Sequence, residues 1–280
     1  MDPIHAIAIA IIQGATELFP VSSLGHAVVL PALFGWHLDM HGQDFLPFLV
    51  MLHLGTAAAL FGFFWRDWLA ILRGLAGIGT PHEVSESRRV FLLIVVATIP
   101  VVIVGGLLEH PLRRVFATPM IAAVFLIVNG LFLLAGESMK RRERSSRPLS
   151  ALTARDALII GCWQCLALIP GLSRSGATII GGLLRGFDHE DSAHFSFLIA
   201  LPVIIAAGVL EVPKLVHDKA AHGALGLSVV AAVVAGLTAF GSTAFLMRWF
   251  KGHDHWATTP FAIYCMVLGI FSVGFLLIAG

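Results

Sequence analysis

The sequence predicts an all-α polytopic membrane protein: an inverted repeat with six transmembrane helices and two re-entrant helix–break–helix hairpins. Composition, uncharged stretches and internal similarity lead to this prediction. Hydrophobic residues make up 58% of the 280 residues and charged residues only 12%, and the mean hydropathy is +0.89. Because soluble domains carry roughly 25% charged residues, this chain cannot cover a globular surface with polar groups. Its partner is a membrane, and no nucleic-acid partner is expected.

Six apolar stretches contain no Asp, Glu, Lys or Arg: 47–65, 90–108, 119–136, 195–210, 224–247 and 260–280. Five have about the ~20 residues that a helix needs to cross about 30 Å of hydrocarbon, and the sixth is shorter. The amino-terminal segment lacks a basic start, so no cleaved signal peptide is expected. The predicted spans are about 45–65, 90–109, 119–137, 193–212, 224–247 and 260–280.

A basic linker, 138–156, divides the chain into two halves that resemble each other. "QGATELFPVSSLGH" in the first half corresponds to "QCLALIPGLSRSGAT" in the second, and "PMIAAVFLIVNGLF" from Pro119 corresponds to "PFAIYCMVLGIFSV" from Pro260. The order of the elements is the same in both halves. An internal duplication into repeats 1–137 and 157–280 is the economical interpretation.

Each repeat begins with a segment too short and too broken to span. The apolar run 157–169 would extend only about 20 Å as a helix, and Pro170, Gly171 and two serines then interrupt the chain. Broken backbone is tolerated at depth only where protein or a wet cavity satisfies it. We therefore expect two hairpins, 3–35 and 157–186, that enter the membrane and return.

The charges of the loops predict the orientation. Three crossings per repeat is an odd number, so the second repeat would be inverted. Loops 66–89, 138–156 and 248–259 then share one side and hold twelve Lys and Arg residues, against four in the opposite loops. The positive-inside rule places the linker in the cytoplasm and both termini outside. The two hairpin tips would meet near the midplane.

The first break carries the residues of acid–base chemistry. Gln13 and Glu17 are spaced i,i+4 and share a helix face. Ser22, Ser23 and His26 follow the break. A hydroxyl, an imidazole and a carboxylate together can activate a nucleophile or move a proton. The structural alternative is that the serines cap a helix and His26 is a satisfied core residue.

The second break carries Arg174 inside an apolar run, where a lone guanidinium costs from ~3 to more than ~10 kcal/mol. Arg174 and Thr178 are spaced i,i+4, and Ser173 and Ser175 flank the arginine. A helix N-terminus, hydroxyls and a guanidinium form a good phosphate site. The alternative is an arginine that extends to the membrane interface. Both breaks are expected to converge on one site.

Other polar and aromatic residues are interpreted as structural. The pair Cys162 and Cys165 is assigned to packing, because no second pair or clustered histidines accompany it. Arg185 is expected at the interface. The tryptophans near span ends suit an aromatic belt: Trp36, Trp65, Trp68, Trp249 and Trp256. The remaining histidines are interpreted as solvated or interfacial, among them His37, His41, His53, His110, His253 and His255.

The two breaks resemble a known family. "QGATELFPVSSLGH" resembles the (E/Q)-x-x-x-E plus P-V-S-S-x-G-H region of bacterial undecaprenyl pyrophosphate phosphatases, and "PGLSRSGAT" matches their P-G-x-S-R-S-x-x-T motif. The resemblance covers essentially the whole chain. It implies a multi-pass protein of the bacterial inner membrane that removes one phosphate from undecaprenyl pyrophosphate. The product is the lipid carrier for peptidoglycan and other envelope polymers.

The resemblance also assigns residues by position. It implies catalytic roles for Ser23, His26, Glu17 and Arg174, with Ser23 as nucleophile and His26 as base, or His26 itself as nucleophile. It implies phosphate binding by Ser22, Gly171, Ser173, Arg174, Ser175, Gly176 and Thr178. It implies a divalent cation, magnesium or calcium, at Glu17 and Gln13. Because Gln13 is the uncharged variant, the cation is expected to arrive with the pyrophosphate.

Two other functions fit part of the pattern. A second class of lipid phosphatase uses P-S-G-H and S-R-x5-H, but its histidine would fall at position 180, which is isoleucine. A polyprenyl-phosphate transporter or flippase would share the inverted repeat and the broken helices, but transport alone does not need Ser23, His26 and Glu17. The expected ligand is a polyprenyl pyrophosphate lipid, the expected opening faces outward, and a homodimer is left open.

Overall fold

The structure, a computed structural model, describes residues 2–36, 45–108, 118–140, 147–217, 222–253 and 255–279. Within these ranges the chain forms eleven α-helices, two short 3-10 helices and no strands. The α-helices are α1 (Pro3–Thr16), α2 (Ser23–Leu33), α3 (Phe45–Phe63), α4 (Trp65–Leu75), α5 (Pro81–Leu107), α6 (Pro119–Lys140), α7 (Ala154–Gln164), α8 (Arg174–Leu184), α9 (His189–His217), α10 (His222–Gly252) and α11 (Thr259–Ala279).

The six predicted spans correspond to α3, α5, α6, α9, α10 and α11, the described helices that are long and apolar enough to cross a membrane. This confirms a multi-pass α-helical membrane protein. Some helices extend beyond the predicted spans, most clearly α5, which begins at Pro81 where Thr80 and Glu83 form a capping box. Hydropathy detects only the part of a helix that suits hydrocarbon, so it misses such polar first turns.

One helix lies where the sequence predicted only a loop. Helix α4 begins two residues after α3 ends, with Asp67 in its first turn and Arg73 in its last, as the helix dipole favours. Its apolar residues Leu69 and Leu72 are exposed. The helix was missed because it is short and carries charges that interrupt any apolar run.

Both broken segments double back on themselves. At the second, Arg185 Nε after α8 donates to Asp156 Oδ1 in α7 at 2.6 Å. At the first, the rings of His5 in α1 and Trp36 after α2 lie 4.6 Å apart between centroids. In each pair of short helices, α1 with α2 and α7 with α8, the end of the second helix therefore lies close to the beginning of the first. The shape is that of a hairpin, and its re-entrant position in a bilayer stays a prediction.

The directions of the long helices follow from their contacts. Helices α3 and α10 run parallel, because Gly55 packs against Ala232 and, eight residues further along each helix, Phe63 packs against Phe240. Helices α3 and α9 run antiparallel, because Phe64, directly after α3, lies 6.2 Å between ring centroids from Phe197 near the start of α9, and Leu54 earlier in α3 packs against Gly208 later in α9. Among the six long helices, α3 is the first, α9 the fourth and α10 the fifth. Their directions are those expected if successive long helices each cross the membrane once, in alternating directions, and neither hairpin crosses it.

Helices α6 and α11 pack closely and in a reciprocal way. A Cβ on Gly130 in α6 would lie 2.6 Å from the carbonyl oxygen of Ala262 in α11, and one on Gly269 in α11 would lie 2.8 Å from that of Ala123 in α6. Small residues let membrane helices approach to this distance. Each helix thus uses a mid-helix glycine against the first turns of its partner. A duplicated chain predicts such an exchange, and the inverted repeat remains a prediction.

Asp156 ties the linker to the second hairpin. It is fully buried and accepts hydrogen bonds from Arg147 Nη2 at 3.0 Å, Arg185 Nε at 2.6 Å and Thr153 Oγ1 at 2.7 Å. Burial raises the pKa of the Asp156 carboxyl, but these hydrogen bonds outweigh it and hold the pKa well below its usual range. Arg185 is therefore paired with a buried carboxylate and does not simply extend to the interface as the sequence suggested.

Candidate active site

The two breaks in the chain meet and are joined by hydrogen bonds. Ser175 Oγ and Ser173 Oγ donate to the carbonyl oxygen of Phe19 at 2.9 and 3.3 Å. Asn129 in α6 is fully buried; its Nδ2 donates to the Pro20 carbonyl at 2.9 Å, and its Oδ1 accepts from the Ser173 N–H at 3.0 Å. The sequence predicted this convergence but not Asn129, which links one break to the other.

The Glu17 carboxylate lies at the centre of the site. Its Oε2 accepts from Ser23 Oγ at 2.6 Å and from Gln13 Nε2 at 2.8 Å, and lies 3.3 Å from His53 Nε2. Its Oε1 accepts from Arg174 Nη2 at 3.1 Å. The short hydrogen bond from the Ser23 hydroxyl to the Glu17 carboxylate is charge-assisted and strong. Glu17 is thus placed to take the proton of Ser23.

Arg174 is paired in the protein interior. Its side chain is only 12% exposed, and its Nη1 also donates to the Ser196 carbonyl at 3.3 Å. Pairing with Glu17 reduces the cost of a guanidinium among apolar helices. The alternative in which Arg174 extends to the membrane interface is therefore wrong.

A cavity of about 450 Å³ opens beside these groups. Its polar end is formed by residues of both breaks together with α3: Glu17, Ser22, Ser23, His53, Ser173 and Arg174. The other walls are mostly apolar and come from α3, α5, α9 and the 3-10 helix Cys165–Leu168, with Val50, Val101, Leu168, Val203 and Leu210 among them. Gln164 and Glu211 also line the cavity. A cavity that joins a group of charged and polar side chains to mostly apolar walls suits an amphiphilic ligand.

The second motif divides into residues that face the cavity and residues behind it. Ser173 and Arg174 line the cavity. Thr178 is fully buried and its hydroxyl bonds the Arg174 carbonyl at 2.8 Å and Ser196 Oγ at 2.6 Å. The Gly176 N–H donates to Ser173 Oγ at 3.1 Å. Thr178 and Gly176 hold the start of α8 in shape, and the expectation that they contact phosphate has no support in these contacts.

Gly171 has a steric role. Its φ is +98°, and a Cβ there would lie 2.4 Å from the carbonyl oxygen of Ala122. Only glycine adopts this backbone conformation at no steric cost and permits such an approach. Gly171 therefore sets the tight turn that brings Ser173 and Arg174 to the cavity.

Ser22 has a strained backbone. It caps α2, with its Oγ accepting from the Gly25 N–H at 3.2 Å, and has φ 68° and ψ 93°. For a residue with a side chain, such an outlier costs roughly 1–3 kcal/mol and is concentrated at functional sites. Ser22 and the next residue, Ser23, both line the cavity.

The structure does not bring His26 to Ser23. His26 Nδ1 bonds the Ser22 carbonyl at 2.6 Å, and Nε2 bonds the hydroxyl of Tyr264 at 2.8 Å. The side chain is 1% exposed and is not among the residues that line the cavity. The expected contacts of His26 with Ser23 and Glu17 are therefore absent. Ser23 instead donates its hydrogen bond directly to Glu17.

The sequence is similar to proteins of one family over nearly its whole length. A family model described as "Bacitracin resistance protein BacA" matches residues 6–271. The chain belongs to the BacA family. Relatives named undecaprenyl-diphosphatase include that of Granulibacter bethesdensis, 60% identical over 99% of this chain and 97% of the relative, and that of Acidiphilium cryptum, 54% identical over 98% of each. A third, from Gluconacetobacter diazotrophicus, is 56% identical over 97% of this chain and 96% of its own length.

His53, like Asn129, is a residue of the site in this BacA-family chain that sequence reasoning missed. It was interpreted as solvated or interfacial, yet it lines the cavity beside Glu17. Its Nδ1 lies 2.7 Å from the Leu49 carbonyl, which can only accept, so Nδ1 carries a proton. A hydrogen bond between His53 Nε2 and Glu17 Oε2 then requires a second proton, located between these two atoms. The sequence did contain evidence for a functional role of His53, because an ionisable residue in the middle of the apolar run 47–65 is a functional candidate by default. His37, His41 and His110 lie outside the described residues.

The chain's own residues do not fit a tightly held cation. In the part of the chain that the structure describes, no three His, Cys, Asp or Glu side chains cluster as metal ligands. Gln13 directs its Nε2, a donor, at Glu17, and the oxygens of Glu17 already accept from Gln13, Ser23 and Arg174. Of the expected ligand pair, Glu17 is therefore already occupied by donors, and Gln13 offers one uncharged oxygen, Oε1, that has no hydrogen-bond partner. A cation that arrives with the substrate stays a prediction.

Proposed function

We propose that this protein is an undecaprenyl-diphosphatase, which converts undecaprenyl pyrophosphate to undecaprenyl phosphate. The relatives named for that activity align over nearly the full chain. The observation that carries the proposal is the 2.6 Å hydrogen bond from Ser23 Oγ to Glu17 Oε2 at the polar end of the cavity. Recycling of this lipid carrier supplies peptidoglycan and other envelope polymers.

In the proposed reaction, Glu17 removes the proton of Ser23, and Ser23 Oγ attacks the terminal phosphorus. The bond from that phosphorus to the bridging oxygen breaks, and undecaprenyl phosphate leaves with the bridging oxygen. Water then hydrolyses the phosphoserine, and Ser23 recovers its proton. Arg174 lies within reach of the same carboxylate and lines the cavity, so it can stabilise charge on the transferred phosphoryl group.

The cavity supports a lipid substrate and hydrolysis. Its apolar walls accept a polyprenyl chain while its polar end accepts the pyrophosphate. A flippase that binds the same lipid has no use for a serine bonded to a carboxylate, so the geometry favours hydrolysis over transport. His26 as an alternative nucleophile is less favoured, because it does not line the cavity and both its nitrogens are bonded elsewhere.

The position of the cavity along the helices supports an opening on the outer face. Its walls use the first half of α3 and the second halves of α5 and α9. Because α3 and α9 run antiparallel and α5 follows α3 in the opposite direction, these parts lie on one side of the protein. The distribution of loop charges supports the assignment of that side, with both termini, to the outside of the bacterial inner membrane.

Phosphate release tests the function. The purified protein in detergent is given undecaprenyl pyrophosphate, with farnesyl pyrophosphate as a short-chain comparison, and inorganic phosphate is measured. We expect release from the wild type and loss of at least about 10³-fold in Ser23→Ala. Binding of the lipid with no phosphate released by the wild type would reject hydrolysis in favour of transport.

A further inference from the structure

His26 and Tyr264 form a connected pair that the reaction above does not use. Tyr264 is the single tyrosine of the chain and lies on α11, far along the sequence from the first hairpin. Its hydroxyl is 2.8 Å from His26 Nε2. The two rings stack, with an interplanar angle of 5° and centroids 5.6 Å apart. Such a long-range contact fixes both the position and the plane of the imidazole.

The tautomer of His26 follows from its partners. Nδ1 lies 2.6 Å from the Ser22 carbonyl oxygen, which can only accept, so Nδ1 carries the proton. In the neutral ring Nε2 is then an acceptor, and the Tyr264 hydroxyl donates to it. Both nitrogens are thereby bonded, and neither is left to take a proton from Ser23.

The chain of hydrogen bonds ends at a strained peptide. Ser22 has φ 68°, and its carbonyl oxygen accepts both the His26 N–H at 3.2 Å and the His26 ring Nδ1–H at 2.6 Å. Two donors on one carbonyl hold that peptide against the strain of its backbone. In a trans peptide the following N–H points opposite to the carbonyl, so the Ser23 N–H is directed away from the His26 ring. Ser22 and Ser23 both line the cavity.

We infer that His26 is a positioning residue, oriented by Tyr264, which holds the Ser22–Ser23 peptide so that Ser23 Oγ faces Glu17 and the substrate. The inference rests on the proposed function and deepens it. It differs from general-base or nucleophilic catalysis by His26 in what it requires of the ring. Positioning requires a donor at the place of Nδ1, and catalysis requires an imidazole.

Substitutions that place a hydrogen-bond donor near only one of the two ring nitrogens distinguish positioning from catalysis by His26. His26→Asn places an amide donor near Nδ1, and His26→Gln places it near Nε2, so only the first can bond the Ser22 carbonyl. Tyr264→Phe removes one hydroxyl and keeps the stacked ring. We expect His26→Asn to keep at least about tenfold more kcat than His26→Gln, and Tyr264→Phe to lower kcat about three- to tenfold with KM little changed.

The assay measures kcat and KM for phosphate release from undecaprenyl pyrophosphate, with Phe271→Leu as an exposed control on the same helix. Equal kcat in His26→Asn and His26→Gln, or wild-type kcat in Tyr264→Phe, would overturn the inference. A wild type that releases no phosphate rejects the proposed function instead. Where a variant fails to fold, the ¹⁵N NMR shifts of His26 in the wild type decide: a proton on Nδ1 supports positioning, and a proton on Nε2 alone overturns it.

Discussion

Ser23 Oγ and Glu17 Oε2 lie 2.6 Å apart, although a break in the helix separates the two residues in the sequence. The break is what permits the contact, because Glu17 directly follows the last residue of α1 and Ser23 is the first residue of α2. Gln13, His53 and Arg174 fix the carboxylate from three other directions. A hydroxyl held against a positioned base is the arrangement that nucleophilic catalysis requires.

Glu17→Gln tests the base. The variant keeps the shape of the side chain but cannot accept the Ser23 proton, and it leaves Arg174 without its charge partner. We expect kcat for phosphate release to fall by roughly 10²–10⁴-fold, with the protein still extracted as a folded species. A fall confined to KM, with kcat at the wild-type level, would show that Glu17 only binds substrate.

Arg174→Lys tests the guanidinium. Lysine keeps the charge but loses the planar pair of donors, of which one now contacts Glu17 and the other the Ser196 carbonyl. We expect turnover to fall by roughly 10²–10³-fold, and Arg174→Ala to fall further. Arg155→Lys is the matched control, because Arg155 is exposed at the start of α7. Turnover above about a third of wild type in Arg174→Lys would make Arg174 structural.

His53 offers a third test through its hydrogen bond to Glu17. His53→Gln can still donate to the carboxylate without a positive charge, whereas His53→Leu cannot donate at all. A hydrogen bond to a charged group contributes about 1.5–3 kcal/mol, so we expect His53→Leu to lose about 10–100-fold in kcat and His53→Gln to lose less. If the two variants had equal activity, the contact seen between Nε2 and Oε2 would have no role in turnover.

Particular residues show how far the sequence alone could lead. Uncharged runs predicted the six long helices, since hydropathy reports directly on hydrocarbon burial. The motifs predicted that Glu17, Ser23 and Arg174 would meet. The direction of His26 was not predictable, because its partner Tyr264 lies on a helix whose packing no motif describes. Asn129 was missed for the same reason: a polar residue in an apolar span has no assigned partner until the tertiary structure supplies one.

The orientation in the membrane is tested by labelling. In a background with Cys162, Cys165 and Cys265 replaced by alanine, we introduce Ser150→Cys in the exposed linker or Gly280→Cys at the C-terminus. An impermeant thiol reagent added to intact cells should react at 280 and not at 150, because the loop charges predict that the linker lies inside. The reverse pattern would remove both the inverted-repeat topology and the proposed outward-facing cavity.

The buried carboxylate of Asp156 predicts a pH-dependent contribution to stability. Its pKa lies well below its usual range because Arg147, Thr153 and Arg185 donate to it, despite the opposing effect of burial. A group with a depressed folded-state pKa stabilises the fold above its unfolded pKa of about 3.9, and the contribution is lost as the pH falls through the folded value. At neutral pH, Asp156→Asn should therefore destabilise the protein by roughly 2–4 kcal/mol, since it leaves two arginines without their partner.

The measurement is the thermal unfolding midpoint in detergent at pH 7 and at progressively lower pH, with Asp67→Asn at a partly exposed carboxylate as the control. The difference between Asp156→Asn and wild type should be largest at pH 7 and shrink only at strongly acidic pH. An unchanged midpoint at pH 7 would mean that the hydrogen bonds do no more than offset the burial of the charge.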